Sequence, residues 1–354
     1  MAIKILGAGL SGLSAAINLA KEVKEVDVFE RKSGVGDHIR PNYQGLLRTH
    51  NDPMGYLKSY NLEPKFNLLR LKKGILCTRT RDIEVSLKEP IDFVLRGGND
   101  SLEYGLYNQA KSLGVNFYFN RKMDKSGVDI VATGHFRCDM LAFGCVYEEL
   151  DFPKDRFLYM HDDRYSPRGW YLYVTPLPDG RYKIVNCTSQ PYVKQTKKLY
   201  YKAIKERKIL RDIVGERKPV DKFGGFGGCD FPKSAKKGNT LYVGEAAGFQ
   251  DPFRGFGMNY AIESGYLVAK AILNGSDYDK LWKAHFKRRI KTDLYRRYAM
   301  VVFGDKAIEH VFKHINDGDE VDWYKVNPSG IKGKILREVF YRLEKFRKWR
   351  TGYW

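Results

Sequence analysis

Hydrophobic residues in this chain fall into short runs closed by glycine or by charge. Ile3 to Leu6 reads as a strand stopped at Gly7, Leu13 to Ala20 as a helix, and Val26 to Phe29 as a second strand ending at Glu30. Far downstream the same step recurs, with a strand at Thr240 to Val243 and a helix from about Met258 to Leu273. Between them, Gly169 to Asn186 alternates like a strand pair and predicts a hairpin around Pro178, Asp179 and Gly180. Residues 276–354 read as helical. Within them Ile335, Leu336, Val339, Phe340, Leu343, Phe346 and Trp349 recur at helical spacing, an apolar stripe with cations around it.

The two strand-to-helix steps are glycine-rich. In GAGLSG, residues 7–12, Gly7 allows a tight turn, Gly9 lets a phosphate approach the backbone, and Gly12 lets the helix lie close on the strand. The bare amides of that helix start, at Leu10 and Ser11, suit a pyrophosphate. Glu30, 18 residues after Gly12, is placed to accept hydrogen bonds from ribose hydroxyls, and it disfavours a 2′-phosphate. An adenosine diphosphate without that phosphate is the expected ligand here. In the second string, GEAAGFQDPFRGFG at 244–257, Ala246, Ala247 and Gly248 allow close approach and Glu245 can bond a ribitol hydroxyl. Asp251, Pro252, Gly255 and Gly257 form a turn into the helix at Met258, whose positive end favours an anionic reduced flavin by ~1 kcal/mol. Read together, the strings are the two ends of one FAD.

With FERK at 29–32, Arg40, LRGGNDSLEYGLYNQAKSLGV at 95–115, DIVATG at 129–134 and GCVYEE at 144–149, these strings resemble the geranylgeranyl reductases. That family belongs to the flavoprotein group that includes para-hydroxybenzoate hydroxylase, and the resemblance spans most of residues 1–275. It implies an α/β protein with a Rossmann-like FAD-binding domain in three pieces (1–64, 93–143, 224–275). An inserted antiparallel β-sheet substrate domain (65–92, 144–223) and a C-terminal helical region (276–354) complete it. The implied cofactor contacts are Gly7, Gly9, Leu10, Ser11, Gly12, Glu30, Arg31, Arg40, Arg96, Thr133, Gly134, Gly244, Glu245, Asp251, Gly255, Phe256, Gly257 and Met258. The implied reaction is saturation of isolated double bonds in a geranylgeranyl-type prenyl lipid.

Three departures lie near the cofactor. Gly244 and Glu245 stand where the family has Gly-Asp, Ala132-Thr133-Gly134 where it has Ala-Asp-Gly, and Pro41 follows Arg40 where a cysteine is common. The proton donor is therefore sought among His38, Tyr43, His50 and His161. A hairpin that the family carries is reduced to a few polar residues between Asn120 and Asp129. The family sets tyrosine, tryptophan and phenylalanine at alternate positions before a proline against its prenyl substrate. Here the matching face is read as Trp170, Leu172 and Val174, with Pro176 one residue late. GGFGG at 224–228 lacks a following helix and reads as a loop ending at Pro232, so no second dinucleotide fold is expected. The expected electron donor is NAD(P)H or a ferredoxin-type iron–sulfur protein.

Composition narrows the setting. The chain has 354 residues, 43% of them hydrophobic, enough for about two domains with a real core. Five cysteines without CxxC or metal spacing imply reduced thiols of a cytosolic protein, with no metal site. The chain opens almost directly on a strand, which argues against a signal peptide, and it holds no run of 18 apolar residues. The net charge of +20 is concentrated late. Lys280, Lys283, Lys287, Arg288, Arg289, Lys291, Arg296 and Arg297 face only Asp293 within 280–300, and residues 331–354 carry a net +6. Such basic, aromatic-ended segments (280–300 and 331–354, with Trp349, Tyr353 and Trp354) predict peripheral attachment to an anionic inner membrane face. The alternatives are an FAD-dependent monooxygenase of the same fold and a basic flavin-containing protein that binds RNA or membrane. Nucleic acid is the less favoured partner, because a prenyl lipid explains tail and apolar wall together.

Overall fold

The computed structural model describes every residue except 1, 23–24, 48, 50–51, 136–137, 230–231, 323–336, 340–341 and 344–354. His50, most of the apolar stripe of the last run including Trp349, and the terminal Tyr353 and Trp354 therefore lie outside the described residues. β1 (Ile3–Leu6) pairs in parallel with β2 (Val26–Phe29) on one side and β7 (Ile130–Val131) on the other. β6 (Asn116–Tyr118) extends the sheet beyond β2, and β14 (Thr240–Tyr242) extends it beyond β7, both parallel. The two-residue β13 (Lys236–Lys237) closes that edge antiparallel.

α1 (Leu10–Ala20), α3 (Leu102–Ser112) and α6 (Met258–Leu273) pack on this sheet. Ile5, Val26 and Val28 share one buried cluster with Leu13 and Ile17 of α1, Leu106 of α3 and Ile262 of α6. Each such aliphatic side chain contributes roughly 1.5–3 kcal/mol on burial. α1 and α6 cross backbone to backbone, since a Cβ on Gly265 would stand 2.4 Å from the Ser11 carbonyl oxygen.

Among the described residues the second sheet has nine strands. β3 (Asn42–Leu46), β4 (Leu68–Cys77) and β5 (Asp82–Arg96) form one part, in which β5 pairs with both others antiparallel. β8 (Met140–Tyr147), β9 (Arg156–Met160), β10 (Leu172–Pro176), β11 (Tyr182–Ser189) and β12 (Asp221–Gly227) form the other, in the order 12-8-11-10-9. β9 joins β4 in parallel, which makes the sheet continuous. The hairpin of β10 and β11 turns through Pro178, Asp179 and Gly180.

Its two faces differ. Cys145, Leu158, Leu172, Val174 and Ile184 pack under α4 (Thr196–Glu206) and α5 (Lys208–Val214). Phe93, Phe157, Tyr159, Tyr171, Val185 and Cys187 form a separate cluster on the other side.

Several expectations change. GGFGG is not a loop: it runs through β12, whose backbone pairs with β8 from Asp221↔Val146 to Gly227↔Met140. Ladder hydrogen bonds come from the backbone, so weak side-chain propensity does not prevent the strand. Residues 42–46, 93–96, 140–143 and 224–227, read as parts of the nucleotide-binding domain, are strands of the second sheet. The C-terminal region is not helical throughout. α7 (Tyr278–Phe303) and α8 (Asp305–Phe312) are followed by β15 (Glu320–Val321), which pairs with β5. No helix among the described residues is long and apolar enough to cross a membrane.

The basic face of α7 is also divided. Arg289 forms an ion pair with buried Glu263, Arg296 pairs with Asp293, and Arg297 is 6% exposed. Lys280, Lys283, Lys287 and Arg288 remain exposed. Glu263 joins three helices, accepting hydrogen bonds from Tyr56 on α2 (Pro53–Lys58) and from His285 and Arg289 on α7. Burial pushes its carboxyl up, but the hydrogen bonds and charge of His285 and Arg289 outweigh that and hold it below its ordinary value.

Replacing Glu263 with alanine strands a buried guanidinium and should cost about 3–5 kcal/mol, read as a lower denaturant midpoint. Because the folded carboxyl is held low, its contribution is complete above the ordinary carboxylate range and is lost as pH falls below it. The gap between wild type and Glu263→Gln should therefore narrow in acid; a gap constant with pH would contradict this assignment.

Candidate active site

Between the two sheets runs one cavity of about 520 Å³. At one end β1 delivers the chain to Gly7, whose φ of +108° suits glycine, and then to Gly9 at the start of α1. No side chain caps this helix, so its first amides stay available where Gly9, Leu10 and Ser11 line the cavity. Open space surrounds the missing Cβ of Gly9, whereas a Cβ on Gly12 would stand 2.0 Å from the Gly7 carbonyl oxygen. Gly12 thus sets the helix against the turn and does not line the cavity.

Glu30 lies at the end of β2 and accepts backbone hydrogen bonds from Ala8 (2.9 Å) and Lys32 (2.9 Å). Those bonds fix its carboxylate at the cavity edge, beside Arg31. Thr133 and Gly134 follow β7 and line the same end. The Thr133 hydroxyl is buried and has no hydrogen-bond partner among the described residues, an unmet demand that a hydroxyl-bearing or anionic ligand would satisfy.

The second glycine string borders the middle of the cavity. Glu245, Gly255, Phe256, Gly257 and Met258 line it, and α6 begins at Met258 behind an uncapped Gly257. Glu245 accepts a hydrogen bond from Gln250 (2.7 Å), and burial pushes its carboxyl up to about 7 against the pull of Arg96. Arg96 is held by Glu103 and Gln44. Asp251 does not line the cavity: it accepts hydrogen bonds from the Phe253 and Arg254 amides and shapes the turn. Gly244 lies behind the turn, where a Cβ would meet the Ser11 hydroxyl at 2.8 Å. Arg40 lies away from the cavity, exposed and ion-paired with Asp221. An open Gly9, an unpartnered Thr133 and a fixed Glu30 at one end, with an uncapped α6 at the other, fit the two ends of FAD.

Beyond the turn the walls become aromatic, with Tyr43, Phe93, Phe157, Tyr159, Trp170, Tyr171, Tyr173 and Phe226. Here the strand register corrects the sequence reading. Trp170 lines the cavity, but Leu172 and Val174 point to the other face, under α4 and α5, and Pro176 is not a wall residue. The cavity side is carried by Tyr171, just before β10, and by Tyr173 and Thr175 on it, since alternate residues share a face. In that register the alternate positions lead directly to Pro176, and Thr175 stands where the family pattern has phenylalanine. Counting back in steps of two from the residue before the proline would have found this face.

Among the candidate proton donors, His38 and Tyr43 line the cavity. Burial lowers the His38 pKa, with Glu30 acting the other way, and raises that of Tyr43. His161 is not a wall residue. Its Nδ1 donates to the Trp170 carbonyl (2.8 Å), and burial drops its pKa to about 3, so it is neutral at physiological pH.

Arg297, read from sequence as a surface cation, is a structural tie. It donates to the Arg168, Gly169 and Phe253 carbonyls and lies 4.6 Å from the Trp170 ring centroid. It thereby joins the Asp251–Gly257 turn to the loop before β10, as does the Tyr171 hydroxyl, which donates to the Arg254 carbonyl.

The two glycines should separate binding from folding. Gly9→Val should melt close to wild type yet lose at least about tenfold in FAD affinity, about 1.4 kcal/mol, by flavin fluorescence titration. Gly12→Val should fail to fold stably with or without FAD. Full FAD affinity in Gly9→Val would remove the phosphate from this turn.

A family model described as an NAD(P)-binding Rossmann-like domain matches residues 5–70. No curated protein matches the sequence. Among solved structures, a geranylgeranyl bacteriochlorophyll reductase-like protein of Thermoplasma acidophilum is similar, with a TM-score of 0.71 and 17% identity over 97% of this chain and 98% of that one. A flavoprotein/dehydrogenase of Cytophaga hutchinsonii aligns with a TM-score of 0.60 and 14% identity over 97% and 99% of the chains. The myxobacterial chondrochloren halogenase, an FAD-dependent halogenase, aligns at 0.59 and 16% over 98% and 90%. The chain therefore has the α/β fold of the FAD-dependent oxidoreductases, a Rossmann-like domain joined to one large curled sheet.

Proposed function

We propose that this protein is an FAD-dependent oxidoreductase that saturates isolated carbon–carbon double bonds of a prenyl-type lipid. One observation carries the reading: a single cavity joins the dinucleotide end to a wall of aromatic rings, with the uncapped start of α6 between them. FAD, when bound, supplies the hydride for one carbon of the alkene. The chain supplies binding, orientation, dryness and the proton.

Gly9, Leu10 and Ser11 would offer amides to the pyrophosphate, Glu30 would accept from ribose hydroxyls, and Thr133 would meet the same end. Glu245, with its carboxyl raised to about 7 by burial, can donate or accept toward the ribitol chain near neutral pH. Tyr171, Tyr173 and Phe256 exclude water where an apolar chain would lie. Tyr43 suits the proton donor best, because it lines the cavity and burial keeps its phenol protonated at neutral pH. Electrons would come from NAD(P)H or an iron–sulfur protein. The exposed Lys280, Lys283, Lys287 and Arg288 would hold the protein to an anionic bilayer surface at ~1 kcal/mol each.

The test is a single anaerobic turnover. Protein reduced with dithionite should reoxidise on adding a geranylgeranyl lipid, and each converted alkene should gain two hydrogens by mass. Tyr43→Phe should bind FAD normally and slow reoxidation about 100-fold. Reoxidation that requires oxygen and an aromatic substrate would replace this reading with hydroxylation.

A further inference from the structure

β12 forms one edge of the curled sheet. Among the described residues it pairs with β8 alone, so the backbone groups along its other side have no strand partner. Its glycines make this edge a thin wall. Gly225 and Gly227 share the cavity face and line it, Gly225 is exposed, and a Cβ built on Gly225 would meet nothing within 4 Å. The cavity therefore opens here, with bare backbone as its lip. Gly227 lies close to the flavin-end turn, since a Cβ there would stand 3.4 Å from Gln250 Nε2, which donates to Glu245.

The outer face of the same edge mixes apolar and basic groups. Val220, Lys222, Gly224 and Phe226 alternate onto it, with Val220 50% and Phe226 58% exposed. Lys222 stands opposite Cys145, and the Tyr201 hydroxyl of α4 lies 4.0 Å from the Cys145 sulfur, so α4 continues this surface beside the strand. Tyr201 is itself exposed. Lys197, Lys198 and Lys205 stand three or four residues from it along α4 and are exposed with it, on one side of the helix. Neither these three lysines nor Lys222 forms an ion pair among the described residues. The result is an apolar centre with uncompensated cations around it.

A bilayer and an acidic protein both suit such a surface. The open strand edge decides between them, because lipid cannot hydrogen-bond exposed backbone groups and a protein or water can. Position then decides the kind of protein. The lip at Gly225 and Gly227 lies between solvent and the flavin-end turn, where electrons have to arrive.

We propose that the outer face of β12, with Tyr201 and the lysines of α4, docks a small acidic one-electron carrier protein of the iron–sulfur type, which delivers electrons past the lip at Gly225 and Gly227. Saturating one double bond takes two electrons and two protons. Two reduced carriers each give up one electron and leave oxidised, and solvent supplies the protons. The lysines steer the carrier in and hold it loosely, as suits a partner that must leave after each electron. This inference rests on the proposed function only in that the reaction consumes electrons.

The test follows flavin absorbance in FAD-loaded protein without oxygen and without alkene, so it is independent of turnover. A reduced ferredoxin of net negative charge should bleach the flavin, and the rate should fall severalfold as ionic strength rises from about 0.01 to 0.15 M. Lys198→Glu combined with Lys222→Glu should slow this reduction tenfold or more and flatten its salt dependence. Reduction by dithionite, which needs no docking surface, should stay within twofold of wild type.

An undiminished ferredoxin rate in the double variant overturns the proposal, as does a wild-type flavin that NADPH reduces and ferredoxin does not. Loss of binding to phosphatidylserine vesicles in the variant, with its ferredoxin rate unchanged, would give the surface to a bilayer instead. Reduction by ferredoxin without any saturation of an added alkene would leave the docking surface standing and remove the reductase reading. Alkene saturation after dithionite, in a protein that ferredoxin cannot reduce, would do the reverse.

Discussion

Where α1 crosses α6, backbone lies on backbone, and the candidate site depends on that contact. Gly265 admits the Ser11 carbonyl at a distance no side chain would allow, and Gly12 does the same for the turn at Gly7. The approach brings together two glycine strings separated by more than 200 residues of sequence. It also leaves the starts of both helices uncapped and facing one cavity. Helix starts carry unsatisfied amides and partial positive charge, so two of them on one cavity make a strong preference for anionic groups.

Excess positive charge is handled by turning part of it inward. α7 carries the whole first basic cluster, yet Arg289 and Arg297 lie inside, one on a carboxylate and the other on three backbone carbonyls. A planar guanidinium with five donors can bridge separate segments in a way a lysine cannot. Arg297 uses this to lock the glycine turn against the loop before β10, so the C-terminal helix holds both ends of the reacting region. Lys280, Lys283 and Lys287 of the same helix stay in water, where their flexible stems cost least.

The curled sheet separates two environments by strand alternation alone. Along β10 and the residue before it, Leu172 and Val174 sit in a dry core under two helices, while Tyr171, Tyr173 and Thr175 face the cavity. One residue of register decides which set meets a ligand. Because both faces are buried, both sets are largely apolar, and hydrophobicity does not tell them apart. The polar Thr175 does.

The sequence by itself determined the dinucleotide end. GAGLSG, Glu30 and the Gly244–Gly257 string act through local geometry, a turn, a helix start and a carboxylate a fixed number of residues away, and local geometry is written in adjacent residues. It also carried the hairpin at Pro178–Gly180 and the α/β class. What only the tertiary structure decided depends on residues distant in sequence. GGFGG became a strand because β8 supplied its ladder. Arg40 stands off the cavity wall, paired with Asp221, and Arg297 became a tie because three carbonyls converged on it. His161 lost its claim as a donor through burial behind Trp170. Contacts of this kind depend on which segments fold against each other, and no window of sequence contains them.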